Sequence, residues 1–199
     1  MNVQFLRLVG AAVLLVGFAH TNSEGARATS QTASQVSLDK GLLSEFRERV
    51  DDYMKLHNKL QAQGTRQKPR DNDGENKVSQ QALATRIRFA RHDARPGDIF
   101  TRPIAMALRR ALNPELRGAA ALPTRETIRE DAPVTFVLAV NADYPAGASR
   151  SNMPANVLQI LPPLPKGLEY RMVDTHLLLL DVEANVILDF ILDVMCKTC

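Results

Sequence analysis

The feature that most constrains the fold is a set of three short apolar segments near the end of the chain, joined by tight polar connections. The segments span residues 168–173, 176–182 and 186–191, and the connections are Asp174–Thr175 and Glu183–Asn185. Segments of this length with such short turns predict antiparallel strands in a β-meander. The middle segment has four consecutive leucines, Leu177–Leu180, so both faces of this strand need cover. We therefore predict a central strand with helices packed over one side of the sheet.

The N-terminal half has a helical period instead. Between residues 38 and 62 the apolar face recurs at steps of three and four, at Leu43, Phe46, Val50, Tyr53, His57 and Leu60. This face is expected to pack on the domain; the alternative is a coiled-coil dimer, for which only about two and a half heptads are present. A second helix is predicted at 77–94. A third is predicted from Thr101 to about Asn113–Pro114, because proline is tolerated in the first turn of a helix, as at Pro103, but disfavoured later, as at Pro114.

Two shorter elements are predicted between the helices and the meander. Residues 134–140 form an apolar run that indicates a largely buried strand. Residues 154–161 indicate a short helix capped by Ser151 or Asn152 and stopped by Pro162–Pro163. The fold class is therefore α+β, with about three N-terminal helices packed on a small antiparallel C-terminal β-meander. One domain is expected over 38–199, with an exposed loop at 64–76 and a disordered arm at 29–37.

The N-terminus has the pattern of an export signal. Met1–Arg7 carries one positive charge, Leu8–Ala19 is apolar, and Ala26–Ala28 has the A-x-A form of a cleavage site. The apolar run is about a dozen residues, whereas a bilayer-spanning helix needs about 20. We interpret residues 1–28 as a signal peptide, with a retained membrane anchor as the alternative. The protein is then expected to be periplasmic or secreted, with no transmembrane segment in the mature chain.

The C-terminal third resembles the closing segment of a family of uncharacterised exported proteins found in many bacterial genomes. The resemblance is carried by Leu161–Arg171 (LPPLPKGLEYR), Asp181–Asn185 (DVEAN) and Asp189–Ile191 (DFI), and Ala94–Phe100 (ARPGDIF) fits the same pattern. It covers most of the mature chain and implies export. It implies no activity, since that family has no assigned function.

Familiar catalytic and metal-binding motifs are absent from the sequence. There is no G-x-S-x-G nucleophile elbow, no phosphate-binding glycine loop and no histidine pair with metal spacing, so no cofactor and no metal are predicted. His57 lies on the apolar helix face and is expected to be a packed, hydrogen-bonded residue. Cys196 and Cys199 form a C-x-x-C with no following helix to activate a thiolate, and supply two of the four ligands of a structural zinc site. We expect either a local disulfide or no role for this pair; a hook for a metal or another chain is the alternative.

Charge is unevenly distributed along the chain. Residues 84–117 contain eight arginines and three acidic residues, whereas residues 167–193 contain six acidic residues and Arg171. Either the basic helices pair with the acidic meander inside the fold, or an arginine stripe faces solvent and binds an anion. For the second case the candidate residues are Arg88, Arg91, Arg95 and Asp98. Nucleic acid is not expected, because the net charge is only +3 and aromatic interleaving is missing.

The meander aspartates offer a second kind of candidate. Asp181, Asp189 and Asp193 could supply a carboxylate pair for acid–base chemistry, although positions at a hairpin tip or sheet edge are the plainer expectation. The sequence therefore favours a non-catalytic binding or interaction module of the cell envelope, with an anionic envelope component or a protein as its partner. The alternative is a periplasmic enzyme with dispersed catalytic residues, in which Arg95, Asp98 and the aspartates share a cleft.

Overall fold

A computed structural model describes residues 39–64, 73–117, 122–124, 126, 138–145 and 153–194. Four helices precede three strands in this part of the chain. The helices are α1 (Lys40–Gly64), α2 (Asp73–Ala90), α3 (Arg102–Leu116) and the single turn α4 (Ala155–Leu158). The strands are β1 (Leu168–Val173), β2 (His176–Asp181) and β3 (Val186–Ile191). The α+β fold class and the antiparallel C-terminal sheet are confirmed.

The sheet is a simple meander with strand order β1-β2-β3. Leu168 of β1 lies opposite Asp181 of β2, and Asp181 lies opposite Val186 of β3. The two tight turns contain Asp174 and Asn185, whose φ values of 53° and 55° lie in the left-handed region that such residues tolerate. The turn residues therefore fix the register that the strand periodicity requires.

Both faces of β2 are covered, as its four leucines require. Leu177 and Leu179 belong to the main core between the sheet and the helices, and both are fully buried. Leu178 and Leu180 face the other side, where they pack with Tyr144 and other apolar residues of the segment 138–145. That segment also runs along β3, where Asn141 donates to the carbonyl of Ile187 at 2.8 Å and Asp143 bridges to Val186.

The apolar face of α1 is buried inside the domain. Its fully enclosed side chains are Phe46, Val50, Tyr53, His57 and Leu60, as expected for packing within the domain. Phe46 stacks on Phe100 with ring centroids 5.8 Å apart, and Phe100 stacks on Tyr170 of β1 at 6.5 Å. A column of three aromatic rings therefore joins α1 to the sheet.

Several predicted boundaries are wrong by up to one turn. The predicted loop at 64–76 is shorter at both ends, because Gly64 is still in α1 and α2 begins at Asp73. α2 ends at Ala90 rather than at residue 94. α3 continues through Pro114 to Leu116, because proline there removes only the hydrogen bond to the exposed Arg110 while Leu116 gains full burial.

The short elements also differ from the prediction. α4 covers only Ala155–Leu158 and has Pro154 as its N-cap, with no side-chain cap bond. The predicted caps, Ser151 and Asn152, lie outside the described residues. Of the predicted strand at 134–140, residues 138–140 are not in a strand and residues 134–137 lie outside the described residues. The predicted signal peptide, the arm at 29–37, and Cys196 with Cys199 lie outside them too. No helix in the described ranges has the length and apolar character needed to cross a membrane.

Candidate functional site

Two of the predicted anion-binding residues, Arg88 and Arg91, form hydrogen bonds with other segments of the fold. Arg88 on α2 donates through Nε to the carbonyl of Asn141 at 2.8 Å and forms an ion pair with Asp143. Arg91, in the turn after α2, reaches the Oδ1 of Asn141 at 3.2 Å and the carbonyl of Leu188 at 3.1 Å. Both guanidinium groups therefore bind the segment 138–145 or β3, rather than the acidic side chains of the meander.

Arg91 is also packed against an aromatic ring. Its guanidinium carbon lies 5.3 Å from the ring centroid of Tyr53, a cation–π arrangement. Burial lowers the pKa of Arg91, and the nearby Tyr53, Asp189, Asp98 and Asp181 partly offset that effect. An arginine in this position stabilises the junction of α1, α2 and β3.

The other two predicted residues lie at the surface in the turn between α2 and α3. Asp98 Oδ2 accepts the backbone N–H of Arg95 at 2.9 Å, and the carbonyl of Asp98 accepts Arg49 of α1 at 2.7 Å. The side chains of Arg95 and Asp98 are exposed. The structure therefore divides the predicted stripe: Arg88 and Arg91 have partners within the fold, while Arg95 and Asp98 form a solvent-facing turn.

Asp189 is a buried anchor for that turn. Its side chain is fully enclosed and accepts four backbone N–H groups at 2.7 to 2.9 Å, from Gly97, Ile99, Phe100 and Phe190. Gly97 has a φ of 96°, which lets the turn bring its amide towards the carboxylate. Asp189 lies on β3, an outer strand of the sheet, but its carboxylate is buried and satisfies amides that would otherwise have no partner.

Asp181 is the centre of a second buried cluster, between α1 and the turn after β2. Its Oδ2 accepts the hydroxyl of Tyr53 at 2.5 Å and lies 2.6 Å from Nδ1 of His57. Its Oδ1 accepts the backbone N–H of Ala184 at 2.8 Å. The Nε2 of His57 lies 3.2 Å from Glu183 Oε2. Asp181 therefore lies where β2 enters its tight turn, as expected of a hairpin-tip residue, but its carboxylate is buried and anchors this cluster.

The electrostatics of this cluster favour an ion pair. The hydrogen bond that His57 donates to Asp181 raises the pKa of His57 despite the burial of the imidazole. Hydrogen bonds from His57, Tyr53 and Ala184 lower the pKa of Asp181 and outweigh the cost of its burial. Burial, together with the charge of Asp181, raises the pKa of Tyr53, so this hydroxyl stays protonated as a donor. Both nitrogens of His57 face carboxylates and the side chain is 3% exposed, so the imidazole has no free nitrogen for a substrate.

A cavity of about 710 Å³ lies between β1 and the segment that precedes it. We call it the Tyr170 groove. Its lining is mainly apolar and consists of Met153, Leu158, Gln159, Leu161–Leu164 and Leu168–Arg171. Two charged side chains border it, Glu169 and Arg171, and they form an ion pair with each other. The hydroxyl of Tyr170 donates to the carbonyl of Pro162 at 2.9 Å, which fixes one wall.

The groove and the predicted site residues do not coincide. The lining contains no histidine and neither Arg95 nor Asp98. Within the described ranges, no group of three or more histidine, cysteine or acidic residues is placed to hold a metal ion. Sequence reasoning identified the segment Leu161–Arg171 only as a resemblance. The signal that could have pointed to a groove is its alternation of leucine and proline, which gives an apolar surface with few backbone donors.

Comparison with known proteins adds no further constraint. The chain matches no family model, no curated protein and no solved structure at a significant level.

Proposed function

We propose that this chain is an exported, non-catalytic binding module of the bacterial cell envelope, and that its ligand binds in the Tyr170 groove. The observation that carries the proposal is the groove itself. Its volume of about 710 Å³ lies within the range of roughly 300 to 1,000 Å³ that is usual for ligand sites. Its apolar lining and a small number of polar groups are also typical of such sites.

The distribution of charged groups supports binding rather than catalysis. A general base needs a free nitrogen or carboxylate within reach of a substrate. His57 and Asp181 are buried and bonded to each other, and Asp189 is saturated by four amides. The enzyme alternative requires Arg95 or Asp98 to share a concave pocket with a histidine or a second carboxylate. The lining of the Tyr170 groove does not supply that combination.

The internal bonds of the arginines also change the expected ligand. Arg88 and Arg91 donate to partners on the segment 138–145 and on β3, so an anion would have to compete with those contacts. An apolar ligand in the groove needs no such rearrangement. We therefore place the partner site at the groove rather than at the arginine stripe.

Export rests on the sequence of the first 28 residues and on the resemblance to exported bacterial proteins. Mass spectrometry of the protein recovered from the periplasm or medium of an expressing bacterium tests it. A mature N-terminus at Thr29 supports export, and an intact chain found only in the cytoplasm contradicts it.

Binding in the groove is tested with Nile red, an uncharged apolar dye whose fluorescence rises in apolar sites. Leu158 lines the groove and is 47% exposed, so Leu158→Glu adds a charge there without burying it in the core. Leu192 is also 47% exposed but lies outside the lining, so Leu192→Glu is a matched control. We expect Leu158→Glu to weaken dye binding at least tenfold and Leu192→Glu to leave it unchanged. Equal binding by all three proteins contradicts the groove as the site.

A further inference from the structure

The wall of the Tyr170 groove is the edge of a β-sheet. Among the described strands, β1 is an outer strand and pairs only with β2. The opposite edge of the sheet, at β3, is bordered by the segment 138–145 through backbone hydrogen bonds. Four consecutive residues of β1, Leu168–Arg171, line the groove. The groove therefore follows the edge of the sheet that has no neighbouring strand in the described part of the chain.

The register of β1 determines which backbone groups face the groove. Val182 donates its N–H to the carbonyl of Gly167 at 3.0 Å, so Gly167 is bonded towards β2. Because this orientation alternates along an antiparallel strand, Glu169 and Arg171 are also bonded towards β2. The N–H and C=O of Tyr170 consequently point away from β2, at the outer edge of β1, and Tyr170 is one of the residues that line the groove. An edge strand with outward-pointing amide groups is a template for another strand.

The segment on the other side of the groove cannot complete the sheet. It contains Pro162, Pro163 and Pro165, none of which has a backbone N–H to donate to a strand ladder. It meets β1 through the hydroxyl of Tyr170 and through one turn bond, in which the N–H of Leu168 reaches the carbonyl of Pro165 at 3.2 Å. The proline-rich segment thus lies beside β1 without forming strand pairs with β1, and the space between them is the groove.

We propose that the Tyr170 groove binds an extended polypeptide segment of a partner protein, which adds to β1 as a further antiparallel or parallel strand. The segment spans about four residues, to match the four residues of β1 in the wall, at about 3.3 Å of strand per residue. Its apolar side chains contact Leu158, Leu161 and Leu164 of the lining. This inference rests on the proposed binding function and names the chemical class of the ligand.

A peptide fits this groove better than an acyl chain. An acyl chain would satisfy the apolar lining but would leave the backbone N–H and C=O of Tyr170 without a partner, which carries a desolvation penalty for each group left unpaired. An extended peptide supplies both backbone donors and acceptors and apolar side chains. Main-chain pairing provides affinity in such complexes, and the side-chain pockets provide specificity.

The test uses three acetylated hexapeptides that alternate threonine with valine, leucine or phenylalanine, each with a twin that is N-methylated at alternate amides. N-methylation removes the hydrogen-bond donors of one peptide edge while keeping the side chains. Titration calorimetry on the purified protein measures Kd for each peptide. We expect at least one parent peptide to bind with Kd below about 1 mM and its methylated twin to bind at least tenfold more weakly. Leu158→Glu should weaken the parent peptide by a similar factor, and Leu192→Glu should not.

Two results of the peptide titrations overturn the inference. One is the absence of binding by all three parent peptides, and the other is equal binding of a parent and its methylated twin, which would show that main-chain pairing plays no part. Decanoate is titrated in parallel, and tighter binding of decanoate than of every peptide identifies an acyl-chain site instead. The Nile red experiment separates failure of strand addition from failure of the proposed function. If Leu158→Glu abolishes dye binding while no peptide binds, the groove binds a ligand but not by strand addition. If the dye is also unaffected, the proposed function fails as well.

Discussion

Replacing Asp189 with asparagine should cost this protein a large part of its stability. The Asp189 carboxylate is fully buried and accepts four backbone amides. Asparagine has nearly the same shape, but one of its two terminal groups is a donor. That NH₂ group must face either Gly97 and Phe190 or Ile99 and Phe100, so two hydrogen bonds become donor–donor contacts.

The size of the effect follows from those two bonds. A hydrogen bond to a charged group contributes about 1.5 to 3 kcal/mol, so losing two of them should lower the free energy of unfolding by about 3 kcal/mol or more. The NH₂ group is expected to face Gly97 and Phe190, because the bonds to Ile99 and Phe100 are more deeply buried. Against a typical total of 5 to 15 kcal/mol, this is a large loss for one isosteric change.

The change in the free energy of unfolding is measured by urea unfolding followed by far-ultraviolet circular dichroism, since the chain has no tryptophan to serve as a fluorescent probe. Asp193→Asn is the matched control: Asp193 is exposed and accepts one side-chain bond, from Thr175 at 2.8 Å, so its change should stay below about 1 kcal/mol. If Asp189→Asn also costs less than about 1 kcal/mol with an unchanged m-value, the carboxylate is not the anchor of the 95–100 turn.

Two further predictions concern pH and backbone strain. His57 has a raised pKa, so its contribution to stability is complete below pH 6.5 and is lost as the pH rises through the pKa of the folded state. Asp181 has a lowered pKa, so its contribution is complete above pH 3.8 and is lost as the pH falls through its folded pKa. The stability that this pair contributes is therefore greatest between pH 3.8 and 6.5. Urea unfolding measured across pH should show that His57→Gln removes the loss of stability above pH 6.5. A His57→Gln variant that loses stability above pH 6.5 as the wild type does would contradict the pairing. Gly97→Ala should lower stability by about 1 kcal/mol or more, since its φ of 96° strains any side-chain-bearing residue, and a thermal midpoint equal to that of the wild type would refute this.

The sheet was predictable because its information is local. Each strand carries an apolar run of strand length, and each turn contains residues such as Asp174 and Asn185 that accept a positive φ. The observed strands Leu168–Val173 and Val186–Ile191 match the predicted ranges, and β2 differs by one residue. The helix ends were less accurate because tertiary burial decides them, as at Leu116, where packing carries α3 past an internal proline.

The candidate site was not predictable in the same way. His57 and Asp181 are 124 positions apart, and no periodicity relates a helix face to the residue that will lie opposite it. Arg88 and Arg91 both have partners at Asn141, just beyond the end of the strand predicted at residues 134–140, where the sequence pattern marks no partner for an arginine. No single residue of the sequence indicates the groove, because the groove forms where a proline-rich segment runs beside a strand with which the segment cannot pair.

The helices and the 95–100 turn are attached to the sheet mainly through β2 and β3, which is consistent with the proposal that a partner adds to β1. α1 is bonded to the end of β2 through Asp181, and the 95–100 turn is bonded to β3 through Asp189. Arg91 adds a bond to the carbonyl of Leu188 in β3. β1 contributes Tyr170 to the aromatic column but keeps its outer edge beside the groove. The strand proposed to add there would extend the sheet without disturbing the buried carboxylates of Asp181 and Asp189, which join the helices and turns to β2 and β3.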